Sequence, residues 1–78
     1  MSRPKRAQIL LTFETTTDAL AMEAKATGQL SGRLIPLPGD VAAGCGLCWA
    51  EPAENETKLF LFIKTHTPSY DRLVRRFG

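Results

Sequence analysis

Residues that bind metals or move protons are scarce here: the 78-residue chain has one histidine, His66, and two cysteines, Cys45 and Cys48. Zinc usually wants four Cys, His or carboxylate ligands, and His66 lies eighteen residues past Cys48, outside the usual finger spacing. No metal is therefore expected unless a carboxylate or a second subunit completes the set. Hydrolytic and general acid/base catalysis lack a constellation, because His66 stands in THTP with no serine or carboxylate coupled to it. Long apolar runs are missing too. The run at residues 59–63 is strand-length, far short of the ~20 residues that cross a bilayer, and the basic start MSRPKR precedes only a strand-length apolar stretch. Neither a membrane partner nor a secretory leader is expected, which makes cytoplasmic the default compartment. No K/R-G-F/Y-G/A-F-like segment occurs, so nucleic acid is not an expected partner.

Repeats, low-complexity segments and linkers are also lacking, and 8.6 kDa leaves too few residues for two cores, so residues 1–78 are expected to form a single domain. The net charge is only +2, but six of the ten basic residues lie near the ends: Arg3, Lys5, Arg6, Arg72, Arg75 and Arg76. If the termini meet, these six form one positive patch; the plainer reading is solvated ends.

The chain does contain alternating apolar segments and turn chemistry. Residues 7–13, AQILLTF, place Ile9, Leu11 and Phe13 on one face with Leu10 on the other, the pattern of a central strand covered on both sides. A threonine cluster follows. Thr16 or Thr17 is placed to cap a helix, Asp18 suits its positive end, Lys25 its negative end and Gly28 its stop, with Ala19, Met22 and Ala26 inward. RLIPLP is a second extended run, in which Pro36 favours a sheet edge. Pro38-Gly39 is a turn, and Asp40 is expected to cap a single helical turn over residues 41–43. Residues 47–51 read as a third strand. Two later segments are ambiguous: ETKLFLFIKT at 56–65 has the apolar density of a strand but the end charges of a helix, and residues 70–77 fit helical spacing and an edge strand alike.

The chemistry concentrates in AAGCGLCWA at 42–50. As a redox couple, Cys45-Gly46-Leu47-Cys48 has the wrong order, since it follows a short turn and leads into a strand instead of opening a helix. As a single working thiol, Cys45 is favoured: Gly44 and Gly46 carry no side chains to obstruct its sulfur and leave backbone N–H groups free to face an anion. Cys48, between Leu47 and Trp49, reads as core filler that could also resolve its neighbour as a disulfide. RRFG at the end suggests a terminal-glycine carrier, on the weak support of one Gly78.

LLTF, TTTDALAMEA and GRLIPLPGDVAAGCGL, in that order over residues 8–47, resemble the small selenium/sulfur carrier-like domains with a Gly-Cys-Gly-Leu signature. The resemblance implies an α+β fold, a small ferredoxin-like βαββαβ sandwich with an antiparallel sheet, and hence a helix at 56–65 and a strand at 70–76. It implies a carrier rather than an enzyme, with no cofactor, whose Cys45 holds sulfur or selenium as a persulfide or selenosulfide. Its partners would be proteins such as a cysteine desulfurase or a selenium-delivery enzyme; a homodimer joined through an exposed sheet edge or face belongs to the interaction-domain reading. Arg33 and the terminal arginines join Gly44 and Gly46 as candidates for stabilising anionic sulfur or docking an acidic partner, with solvated surface charge as the plainer reading. Two readings stay open beside it: a CxxC thiol-disulfide protein and a non-catalytic interaction domain.

Overall fold

A computed structural model describes residues 7–77. Strand β1 (Ala7–Thr12) leads into helix α1 (Thr16–Ala26), followed by β2 (Arg33–Pro36), β3 (Leu47–Pro52), a 3-10 turn (Ala53–Asn55), α2 (Glu56–His66) and β4 (Leu73–Phe77). The sheet order is β2-β3-β1-β4 with every neighbouring pair antiparallel, which is the ferredoxin-like βαββαβ arrangement. Arg3, Lys5, Arg6 and Gly78 lie outside the described residues.

The central position of β1 follows from its composition. Ile9 and Leu11, with Phe13 just beyond the strand, pack on the helix side with Trp49, Met22, Leu59 and Phe62. Leu10 faces the other side with Cys48 and Ala50, and Ile35, Leu37 and Val74 pack around them. Alternation along a strand turns successive side chains to opposite faces, and β1 has apolar residues for both.

Helix α1 is capped not by Thr16 or Thr17, as expected from the sequence, but by the threonine before them. Thr15 is the N-cap, its Oγ1 accepting the Asp18 N–H at 3.1 Å, which leaves the Thr16 hydroxyl for another partner. The expected inner face holds: Ala19, Met22 and Ala26 are buried, and Gly28 follows the helix end at φ +86°.

The ambiguous C-terminal third resolves as a helix and then a strand. In α2, Leu59 and Phe62 turn inward while Phe60 and Leu61 are exposed, so the dense run covers all sides of a helix instead of two faces of a strand. Glu56 in its first turn and Lys64 and His66 in its last complement the helix dipole. β4 is an edge strand, as is β2, where Pro36 costs little. No helix among the described residues is long and apolar enough to cross a membrane.

Residues 37–46, which join β2 to β3, contain no helical turn, in contrast to the expectation for 41–43. Pro38-Gly39 instead makes a turn closed by Val41 N–H to the Pro38 carbonyl at 3.0 Å. Three residues are too few to repay helix nucleation. Asp40, freed from capping, binds the Arg76 guanidinium through both carboxylate oxygens at 2.7 Å. That hydrogen bond holds the Asp40 carboxyl below its ordinary range.

Candidate functional site

The connection from β2 brings Cys45 around the end of β1 to the first turn of α1. Two backbone contacts fix it there. Cys45 N–H donates to the Phe13 carbonyl at 3.0 Å, and Gly44 lies so close to the chain that a Cβ would stand 2.6 Å from the Glu14 carbonyl oxygen. The Cys45 sulfur then meets Thr16 Oγ1 at 3.6 Å, the hydroxyl left over from capping. The first N–H groups of a helix have no intrahelical acceptor and carry its positive end, a setting in which helices receive anionic groups. Sequence order alone put the cysteine after a turn and before a strand. The helix N-terminus that faces it comes from residues far earlier in the chain.

The two glycines have unequal roles. Gly44 permits the close approach to Glu14, whereas a Cβ on Gly46 would meet nothing within 4 Å. Their combined effect differs from the open thiol that their lack of side chains suggests. Cys45 is 4% exposed and joins the helix-side core, because the space at Gly44 is used to press the backbone against β1 and α1.

Cys48 is set apart from Cys45 by the sheet. It is fully buried and belongs to the cluster on the opposite face, with Leu10 and Ala50. Both thiols are free. Burial pushes the Cys48 thiol above its ordinary range, against the pull of the Arg76 guanidinium, and the neighbouring Cys45 adds to the rise. A disulfide needs Cβ atoms about 3.5–4.5 Å apart, and drawing Cys48 through to the helix side would break its pairing with Thr12 and Ile35.

Arg33 is not brought to the cysteine. It pairs with Ala50 at the far end of β2 from Leu47, and alternation puts it on the face of Ile35, away from the helices. The C-terminal arginines sit closer but are engaged with carboxylates: Arg75 with Glu56, Arg76 with Asp40 and Arg72 with Asp71. His66 closes α2, its ring 4.5 Å from that of Phe62 and its Nε2 3.3 Å from Gln29 Oε1. Among the described residues, no three His, Cys, Asp or Glu side chains gather in a metal-binding group.

Glu51 drew no attention in the sequence beyond its place in a strand, yet it is a fully buried carboxylate on the helix side. Its Oε1 accepts from Gly32 N–H and Trp49 Nε1 at 2.9 Å, and its Oε2 from Ser31 N–H at 3.0 Å and Asn55 Nδ2 at 2.9 Å. Gly32 makes room for it, since a Cβ there would stand 2.5 Å from Oε1. This anchor holds the start of β2, and with it the connection that carries Cys45.

Residues 8–75 match the model of the family described as "Putative Se/S carrier protein-like". The chain is also 30% identical over 67 residues to the mite group 2 allergen Tyr p 2 of Tyrophagus putrescentiae, an alignment that takes in 86% of this chain and 47% of the allergen. The chain thus spans about half the length of that curated relative. No solved structure matches it. With the family match running from the second residue of β1 into β4, through both helices and the cysteine segment, the chain belongs to the Se/S carrier protein-like family.

Proposed function

We propose that this protein carries a sulfur or selenium atom on Cys45 between a donor enzyme and an acceptor. The observation that carries the reading is the position of the Cys45 sulfur at the first turn of α1, 3.6 Å from the Thr16 hydroxyl. The Cys45 thiolate attacks the terminal sulfur of a donor persulfide; the new S–S bond forms as the donor's S–S bond breaks, and the donor cysteine leaves as a thiolate. The product on Cys45 is a persulfide, with no net oxidation or reduction. An acceptor thiolate then attacks the terminal atom and regenerates Cys45. A selenium atom follows the same course as a selenosulfide. The terminal chalcogen carries negative charge between steps, and the α1 N-terminus and the Thr16 hydroxyl are the groups to stabilise it.

The test is intact mass after incubating the reduced protein with a cysteine desulfurase and cysteine. Wild type and Cys48→Ala gain the mass of sulfur, and Cys45→Ser gains none. Alanine replaces Cys48 because a serine hydroxyl would be buried on an apolar face. An adduct that survives loss of Cys45, or never forms on wild type, sinks the proposal. Thr16→Val keeps the shape of the side chain and removes the hydroxyl. Its expected effect is a persulfide lifetime shortened about twofold to tenfold, the range of one net hydrogen bond, followed by the decay of the adduct mass.

A further inference from the structure

Cys45 is 4% exposed, and an in-line attack on a donor persulfide requires its sulfur to be reached. Either the core around it opens or the segment that carries it moves. The attachments of residues 38–45 favour the segment, whose Cys45 N–H to Phe13 carbonyl bond, at 3.0 Å, must part when it lifts and is backed by contacts farther along it. Its base is closed by Leu37 N–H to the Gly46 carbonyl at 2.9 Å, so the span between forms a loop with fixed ends. Along the loop, two side chains reach in from the β4 end of the sheet: Arg72 donates to the Ala42 carbonyl, and Arg76 grips both oxygens of Asp40 at 2.7 Å. Arg72 is itself held, with its backbone N–H on Thr12 Oγ1 at 3.0 Å and its carbonyl accepting the Thr12 N–H at 2.9 Å. The sheet is thus the fixed side of the contact.

We propose that residues 38–45 are a strap latched by Arg72 and Arg76, and that its local release exposes the Cys45 sulfur. The two arginines act as positioning residues through the loop and touch no reacting atom. Both latches are exposed at their polar ends, with side-chain exposures of 53% for Arg72, 38% for Arg76 and 68% for Asp40, so each is individually weak. Weakness suits a latch. Segments that open below the global unfolding energy are held by exposed hydrogen bonds of this kind. A donor that offers carboxylates would compete for both guanidinium groups as it docks.

This inference rests on Cys45 as the working thiol, but its test needs no sulfur donor. The rate of Cys45 alkylation by iodoacetamide is read by peptide mass, with amide exchange of Leu10 and Leu11 in central β1 reporting global opening. Asp40→Asn and Arg76→Gln are each expected to speed Cys45 alkylation about threefold to fivefold, the size of a good exposed ion pair. The β1 amides are expected to keep their exchange rates. The swapped pair Asp40→Arg with Arg76→Asp is expected to return the rate to within about twofold of wild type, because it restores the attraction. Unchanged alkylation in both single variants, a swapped pair as fast as the singles, or β1 exchange rising in step overturns the strap. Sulfur loading on a Cys45 whose alkylation ignores the latches overturns the strap alone. Latch-sensitive alkylation without loading upholds the strap and overturns the carrier.

Discussion

Glu51→Ala is expected to cost about 3–5 kcal/mol, the sum for several buried donors left without an acceptor. Gly32 N–H and Trp49 Nε1–H both point at Oε1, and Ser31 N–H and Asn55 Nδ2–H at Oε2. Asn55 and Ser31 sit toward solvent and can recover water; the Trp49 indole N–H, buried with its ring, cannot. A domain of this length has on the order of 4–12 kcal/mol in hand, which leaves the variant near the edge of folding. Glu51→Gln is the sharper test because it preserves volume. One side of its amide must present N–H₂ to two donors, so its cost is expected to reach about 2–4 kcal/mol, well above an ordinary surface change. Denaturant unfolding with an unchanged m-value measures both. A Gln variant within about 0.5 kcal/mol of wild type would mean that the network contributes nothing.

That buried carboxylate shows where sequence reading ran out. Glu51 stands in a strand of apolar neighbours, and its partners lie at positions 31, 32, 49 and 55, contributed by a turn, a strand and a 3-10 turn. Nothing local at residue 51 announces them. Central β1 and the inner face of α1 were legible because period and burial coincide there. The C-terminal third was not, since Phe60 and Leu61 remain exposed on α2 and blur its period, while β4 is an edge strand with both faces partly open. The family resemblance gave helix and strand in the right order where periodicity left both open.

The site was legible in part. The glycines that distinguish Cys45 in the sequence do not open its sulfur, which is buried on the helix side, while Cys48 is buried on the other face as its apolar neighbours suggest. The proximity of Cys45 to the first turn of α1 is not legible from its neighbours in the chain. Local order shows only what precedes and follows a cysteine, and the helix that faces Cys45 begins twenty-nine residues earlier, at Thr16. The expected helical turn after Asp40 failed for the same reason, because the carboxylate's partner, Arg76, lies thirty-six residues ahead.

Gly44→Ala is expected to separate the shelter of the Cys45 sulfur from the part that the proposed carrier role gives to the α1 N-terminus. The new Cβ would stand 2.6 Å from the Glu14 carbonyl oxygen, a rigid backbone atom, so the chain at residue 44 must move away. Displacement stretches the Cys45 N–H to Phe13 bond and withdraws the sulfur from Thr16. The stability loss is expected at about 1–3 kcal/mol, as for other overpacked sites. If most of that loss falls on local opening, Cys45 alkylation rises roughly tenfold, at 1.4 kcal/mol per factor of ten. Persulfide lifetime moves the other way, shortening as the anionic sulfur leaves the helix N-terminus. Gly46→Ala is the control: its Cβ meets nothing within 4 Å and its backbone is not left-handed, so both rates are expected to stay close to wild type. Exposure alone would shorten the adduct's lifetime only by about the factor by which it speeds alkylation, since both need access to the same sulfur. An adduct lifetime that falls by more than alkylation rises is the outcome that assigns the helix N-terminus to holding the carried atom.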